Sequence, residues 1–305
     1  MIVSVSRRTD IPCRYADWFF NRLHEGYALV RNPMRRHSVS RVPLGPGAVD
    51  CFVFWTKNPL PMLPRLGELG TTPFYFQFTL TPYGKDVEPG LSSKREILLP
   101  AFRTLAEKIG PERVIWRYDP ILLTPRYTPE YHRRAFAEIA AALNGSTRRC
   151  TVSFCDDYRR SRTRMEEFGL IRPGKDEMLR LLAALSQTAR REGMALDTCA
   201  EPLDTASLGI PHAHCIDADL VASITGRPFR APRDRSQRPA CGCAASVDIG
   251  AYHTCPNGCR YCYATGSFDA AARSAARYDP DSPLLCSALA AEDTVTERSA
   301  RSSGR

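Results

Sequence analysis

Phe74-Tyr75-Phe76-Gln77-Phe78-Thr79-Leu80 decides how this chain is read. The run is short, aromatic and apolar, and only Gln77 and Thr79 interrupt it. Such a segment reads as a strand. Similar runs lie on either side. Upstream are Ile2–Ser6 and Val49–Trp55. Downstream are Arg113–Tyr118, Thr151–Phe154, Ala195–Cys199 and Ser246–Gly250. Tyr27–Arg31 and Ser38–Val42 add a hairpin turning near Asn32-Pro33.

Helical patterns separate these strands, and their ends are readable. Ser93 and Glu96 form a capping box, apolar spacing follows through Ile109, and Gly110 stops the run. Pro100 sits inside it and should kink it. Thr128-Pro129 starts a second helix, and Lys175–Glu192 forms a third. Shorter helices fit Tyr15–His24, Leu60–Leu69, Ile216–Ile224 and Asp269–Arg277. Strands alternating with helices imply a parallel α/β sheet. Seven strands and an uncertain eighth suggest a complete or nearly complete (β/α) barrel. A doubly wound sheet competes, but no glycine-rich phosphate loop follows the first strand. Residues 1–292 are expected to form a single barrel domain, with a cysteine-rich region at 199–265. Residues 293–305 read as a polar, frayed tail.

Catalytic groups of a parallel barrel sit at the carboxyl ends of its strands. Here those ends are polar: Ser6-Arg7-Arg8-Thr9-Asp10, Trp55-Thr56-Lys57-Asn58 and Trp116-Arg117-Tyr118-Asp119. Gln77, Thr79 and Arg117 lie inside apolar runs, where a barrel lumen would receive them with partners. Arg7, Lys57, Gln77, Arg117 and Asp119 are therefore the candidate substrate and catalytic groups. They suit a polar or anionic substrate, since arginine binds carboxylate or phosphate in a bidentate fork.

The chain has 305 residues and 12 cysteines. A domain of that size buries enough apolar surface to need no disulfide staples. Seven of the cysteines lie between Cys199 and Cys262, and an odd number cannot pair off completely. No secretory signal opens the sequence, so reduced cytoplasmic thiols that bind metal are expected. No apolar run reaches the roughly 18 residues of a membrane span. The net charge of +9 mixes 42 basic with 33 acidic residues, a weak argument for an anionic partner.

Cys255-Pro256-Asn257-Gly258-Cys259-Arg260-Tyr261-Cys262 is the strongest local signal. Three soft thiolates at this spacing can hold three corners of an iron–sulfur cluster, though they also suit zinc. The segment resembles the radical S-adenosylmethionine superfamily in its three cysteines and in Tyr261, the aromatic before the last one. Cys262-Tyr263-Ala264 also resembles the version in spore photoproduct lyase.

The resemblance implies a 4Fe-4S cluster on Cys255, Cys259 and Cys262, with S-adenosylmethionine on the open iron. It implies reductive cleavage to a 5′-deoxyadenosyl radical and a reducing partner such as flavodoxin or ferredoxin. Ordinary members carry the motif after their first strand, whereas here it follows the last. The whole chain resembles an uncharacterised bacterial family, a domain of unknown function, in Ser6–Pro12, Phe54–Pro59, Phe76–Thr81, Trp116–Pro120, Cys241–Cys243 and Asp279–Pro283.

A circularly permuted barrel rationalises the order. The last strand would neighbour the first, and Thr9 and Asp10 would then face the cofactor's ammonium group. Asp10 pairing with Arg7 or Arg8, or capping the helix at Tyr15, is the competing reading. Cys199, Cys215, Cys241 and Cys243 remain, a full ligand set for a second 4Fe-4S cluster or for zinc. Two other functions compete with a radical enzyme. One is a zinc-stabilised nucleic-acid-binding protein, which the scattered basic residues disfavour. The other is a non-catalytic iron–sulfur electron carrier or sensor.

Overall fold

The computed structural model describes residues 1–299. β1 (Ile2–Val5) leads into α1 (Ile11–Arg14) and α2 (Ala16–His24). The hairpin β2 (Tyr27–Arg31) and β3 (Ser38–Pro43) precedes β4 (Cys51–Thr56) and β5 (Phe74–Thr79). Then follow α3 (Leu99–Ile109), β6 (Val114–Ile121), α4 (Pro129–Ala142), β7 (Arg149–Phe154), α5 (Arg162–Glu167) and α6 (Lys175–Arg191). β8 (Ala195–Thr198), α7 (Ala218–Thr225), β9 (Val247–Asp248), α8 (Phe268–Ala275) and β10 (Thr294–Glu297) complete the order.

Local chemistry explains the helix boundaries. Thr128 caps α4 by accepting from the Tyr131 N–H at 3.2 Å, with Pro129 at the first position. Ser93 accepts from the Glu96 N–H at 3.3 Å, as the capping box requires. The kink expected at Pro100 appears as one wide turn, Lys94–Leu98, ahead of α3. Proline lacks an N–H and crowds the carbonyl four residues back, which a wide turn relieves. Leu63–Leu69 forms a 3-10 helix where an α-helix was expected. Pro59, Pro61 and Pro64 remove the amide donors an α-helix would use there.

Seven strands form one sheet in the order β8-β7-β6-β5-β4-β1-β9, and every pairing is parallel. The order runs monotonically along the chain, except that β9 is attached beside β1. Apart from β9 the order does not switch direction, so the sheet lacks the two-sided strand order of the common doubly wound folds. Among the described residues no ladder joins β8 to β9, and the expected closed barrel is realised as an α/β sheet with two ends. Beyond β8 a single parallel bridge, Thr198 to His212, stands where an eighth strand was uncertain.

The polar tail begins later than expected. Asp293 receives two bonds from Arg31, at 2.5 and 2.6 Å, and β10 then pairs in parallel with β3. That ion pair anchors a stretch whose composition suggested fraying. Residues 300–305 lie outside the described part of the chain.

The two faces of the sheet bury different things. Val3, Phe52, Phe54, Phe76, Phe78, Val114, Trp116 and Val152 point toward the helices. Phe54 stacks on Phe76 at 4.8 Å, Phe78 on Phe102 of α3 at 4.8 Å, and Trp116 on Phe136 of α4 at 4.7 Å. Each fully buried ring contributes roughly 2–3 kcal/mol by leaving water. The alternate residues Ile2, Cys51, Val53, Tyr75 and Ile115 face the other way, against Ala213, Cys215, Ile216 and Val221. Period-two alternation therefore sends Gln77 and Arg117 to this inner face.

Candidate metal centre

The end of β9 is tied to the end of β1 by one carboxylate. Asp248 accepts from Ser4 Oγ at 2.8 Å, Ser6 Oγ at 2.5 Å, the Arg7 N–H at 2.7 Å and the Gly250 N–H at 3.0 Å. The Arg7 guanidinium reaches Ser246 Oγ at 3.4 Å and lies 3.9 Å from both Asp234 and Asp248. Arg7 is thus held between the strand end and the loop before it.

Beyond β9 the chain turns through Cys255–Cys262. Gly258 takes a φ of +70°, which the turn requires of a residue without a Cβ. The loop approaches Gly90 closely: Gly90 N–H donates to the Asn257 carbonyl at 3.0 Å, and Arg14 Nε donates to Asn257 Oδ1 at 2.7 Å. Cys259 is buried, while Cys255 and Cys262 are half-buried. Burial, with Asp10 and Cys262 adding to it, pushes the Cys255 thiol up to about 12. Burial also raises Cys259 well above its usual value, with Cys262 and Cys255 among the contributors. The Cys262 thiol therefore acts on both Cys255 and Cys259, and Cys255 on Cys259. Backbone N–H groups of Asn257 and Asp10 point at Cys255 and favour its thiolate.

A buried charge network backs this loop. Glu88 accepts from Lys57 Nζ at 2.8 Å and from Thr81 Oγ1 at 2.9 Å, and also from Lys94 Nζ and the Tyr261 hydroxyl. Lys57 sits 5.4 Å from the Tyr261 ring centre. Burial pushes the Glu88 carboxyl up, but Lys57 and Lys94 outweigh it and hold the group at about 2. Burial disfavours the Lys57 cation, and Glu88 outweighs that and raises its pKa. Two lysines against one carboxylate leave net positive charge beside three potential thiolates.

Asp10 has internal work. Its carboxylate accepts from the Cys13 N–H at 3.1 Å as the cap of α1, from Thr56 Oγ1 at 2.7 Å and from the Lys57 N–H at 2.9 Å. Burial raises its pKa despite these donors. The geometry thus places it as a helix cap and strand clamp. Thr9 is different, for its buried hydroxyl has no partner.

The inner face holds the second group of cysteines. Cys199 Sγ and Cys215 Sγ are 3.3 Å apart, and Cys243 interacts by hydrogen bonding with both Cys215 and Cys241. The hydrogen bond from Cys243 pulls the Cys241 thiol down to about 7, against its burial. Arg117 crosses the face beneath them. Its guanidinium donates to Cys215 Sγ at 2.9 Å, to Gln77 Oε1 at 3.3 Å and to Asp119 Oδ2 at 3.1 Å, and it lies 5.2 Å from the Trp55 ring. Gln77 Nε2 donates to the Cys215 carbonyl at 2.9 Å. Ser153 donates to Asp119. Burial pushes the nearby Glu201 carboxyl up to about 7, although it accepts the Phe154 N–H at 2.6 Å.

The fold therefore gathers the sequence candidates into two neighbouring groups. Lys57 and Tyr261 stand with Cys255, Cys259 and Cys262. Gln77, Arg117 and Asp119 stand with Cys199, Cys215, Cys241 and Cys243. Arg7 lies near both, feeling Asp248, Tyr263 and Cys243. Sequence reading missed Glu88 and Asp248. Glu88 sits in a loop rather than at a strand end. Asp248 lay inside an expected strand, and its parity with Ser246 was the available signal. As the side chains stand, no three His, Cys, Asp or Glu among the described residues surround a common metal position. The donor sets are nonetheless soft, clustered and supplied with N–H donors, which fits thiophilic metal.

A family model described as Domain of unknown function (DUF1848) matches residues 2–264. The chain belongs to this family. That span includes both cysteine groups and all seven strands of the main sheet. No curated protein matches the chain. Among the described residues no helix is long and apolar enough to cross a membrane.

Proposed function

We propose that this protein is a radical S-adenosylmethionine enzyme acting on a polar or anionic substrate. The supporting observation is the Cys255–Cys262 loop: three cysteines on one tight turn that follows β9, a strand paired in parallel with β1. The order β9-β1-β4-β5-β6-β7-β8 is that of a singly wound barrel wall whose first strand has moved to the chain's end. This supports the reading of a permuted barrel.

Cys255, Cys259 and Cys262 would hold a 4Fe-4S cluster. When bound, such a cluster supplies one-electron cleavage of S-adenosylmethionine and hydrogen abstraction from substrate. The chain's own residues surround that site with fixed charge. Lys57 and Lys94, held by Glu88, offset the negative charge of three thiolates. Tyr261 closes the loop onto Glu88. Thr9, with its unpartnered hydroxyl, offers a polar contact beside Gly250. Arg117 and Asp119 on the inner face, with Arg7 at the β1 end, would orient a charged substrate.

Anaerobic purification with iron and sulfide analysis tests the reading. Addition of dithionite and S-adenosylmethionine should release 5′-deoxyadenosine. About four irons per chain are expected to depend on the Cys255, Cys259 and Cys262 set. A protein that binds no iron after reconstitution, or whose iron survives triple alanine substitution there, overturns the proposal.

A further inference from the structure

We infer that Cys199, Cys215, Cys241 and Cys243 form a site for a single tetrahedral thiophilic cation, zinc by preference, that pins residues 199–244 to the inner face of the sheet. The inference stands apart from the function proposed for the Cys255–Cys262 loop.

Three separate pieces of chain deliver the four sulfurs. Cys199 follows β8, and Cys215 follows the stretch bridged to Thr198. Cys241-Gly242-Cys243 then brings two more from the long loop after α7. Cys215, Cys241 and Cys243 are buried at 3%, 7% and 3% exposure. This is a complete four-sulfur set with no carboxylate or water needed to finish it.

Size separates one ion from a cluster. Zinc–sulfur bonds of about 2.3 Å place tetrahedral sulfurs about 3.8 Å apart. Cys199 and Cys215 stand at 3.3 Å, and Cys243 bridges Cys215 and Cys241 by direct interaction. A cubane would hold its four sulfurs much farther apart, with irons and sulfides between them. Here Ala200, Ala213, Ile216 and Ala244 pack around the sulfurs as part of one apolar cluster. As the side chains stand no three encircle a point, so the four sulfurs would have to reorient on binding the cation.

The surroundings also suit a metal–thiolate unit. The Ile216 N–H donates to Cys243 Sγ at 3.4 Å, and Arg117 donates to Cys215 Sγ at 2.9 Å. Such donors stabilise an anionic four-thiolate complex and orient its ligands. Gly242 lets the ring of His214 lie against the Cys-Gly-Cys turn, since a Cβ there would come within 2.5 Å of His214 Cδ2. The Cys215 carbonyl, bonded to Tyr75 and Gln77 at 2.8 and 2.9 Å, ties the site to the middle of the sheet.

Metal analysis of the full chain decides the matter. Protein purified anaerobically from medium holding both metals should carry about one zinc per chain. Zinc should persist in the Cys255, Cys259 and Cys262 triple alanine variant and fall to background in Cys241→Ser with Cys243→Ser. Cobalt exchanged into the triple variant should show the visible absorption of tetrahedral thiolate coordination. Should the double serine variant fail to fold, the wild-type zinc count and the cobalt spectrum still decide. About eight irons per chain without zinc, or zinc lost from the triple variant, overturns the inference. Loss of iron alone would count against the radical enzyme and leave this site intact.

Discussion

The two cysteine groups sit on neighbouring parts of one molecule yet are built in opposite ways. Cys255, Cys259 and Cys262 come from a single loop of eight residues and, as three ligands, would leave one coordination corner open. Their charge is met by a separate network of Lys57, Lys94 and Glu88. Cys199, Cys215, Cys241 and Cys243 come from three segments spread along the chain, and Arg117 bonds directly to one of them, Cys215. A local loop positions an exchangeable group. A long-range set fastens distant chain segments together. The open set suits chemistry and the closed set suits architecture.

The largest expected effect falls on the closed set. Arg117→Met leaves the half-buried Asp119 without its guanidinium partner and removes the buried donor to Cys215 and Gln77. Chemical denaturation should show a loss of about 3–5 kcal/mol. A loss below about 1 kcal/mol would mean that Arg117 is not the charge holding that face together.

Next comes the open set. Glu88 is held at about 2, below its usual 4.5, so it stabilises the fold above the unfolded value. That contribution, roughly 3 kcal/mol for such a shift, is lost as pH falls from 4.5 through 2. Glu88→Gln should flatten the acid limb of the unfolding profile. An unchanged limb would show that Lys57 and Lys94 do not depend on Glu88.

The smallest effect concerns the loop's seat. A Cβ at Gly90 would lie 2.6 Å from the Asn257 carbonyl oxygen. Gly90→Ala should cost about 1–2 kcal/mol and loosen the Cys255–Cys262 loop. Faster amide exchange confined to residues 255–262 would confirm the local origin. Exchange that rises equally at 199–243 would erase the distinction between the two groups.

Much of this was legible beforehand. The seven runs became the seven strands of the sheet because apolar runs between helical patterns have few other places to go. Thr128 and Ser93 capped as their side-chain chemistry demands. The inner-face positions of Gln77 and Arg117 followed from strand alternation. Glu88 was invisible because it lies outside any strand or helix and two of its partners, Lys57 and Tyr261, come from 31 and 173 residues away. Asp10 offered several readings; its bonds to Thr56, Lys57 and Cys13 make it the cap of α1, one helix earlier than the helix at Tyr15.

The sequence alone determined the strands, most helix ends and the division of seven cysteines into three and four. These depend on local periodicity, side-chain hydrogen bonding and spacing, all short-range. The tertiary structure decided that β9 lies beside β1, that the sheet has two ends, and that Cys199 meets Cys215 at 3.3 Å. Such facts come from burial of apolar faces between distant segments, and no short window of residues carries that information.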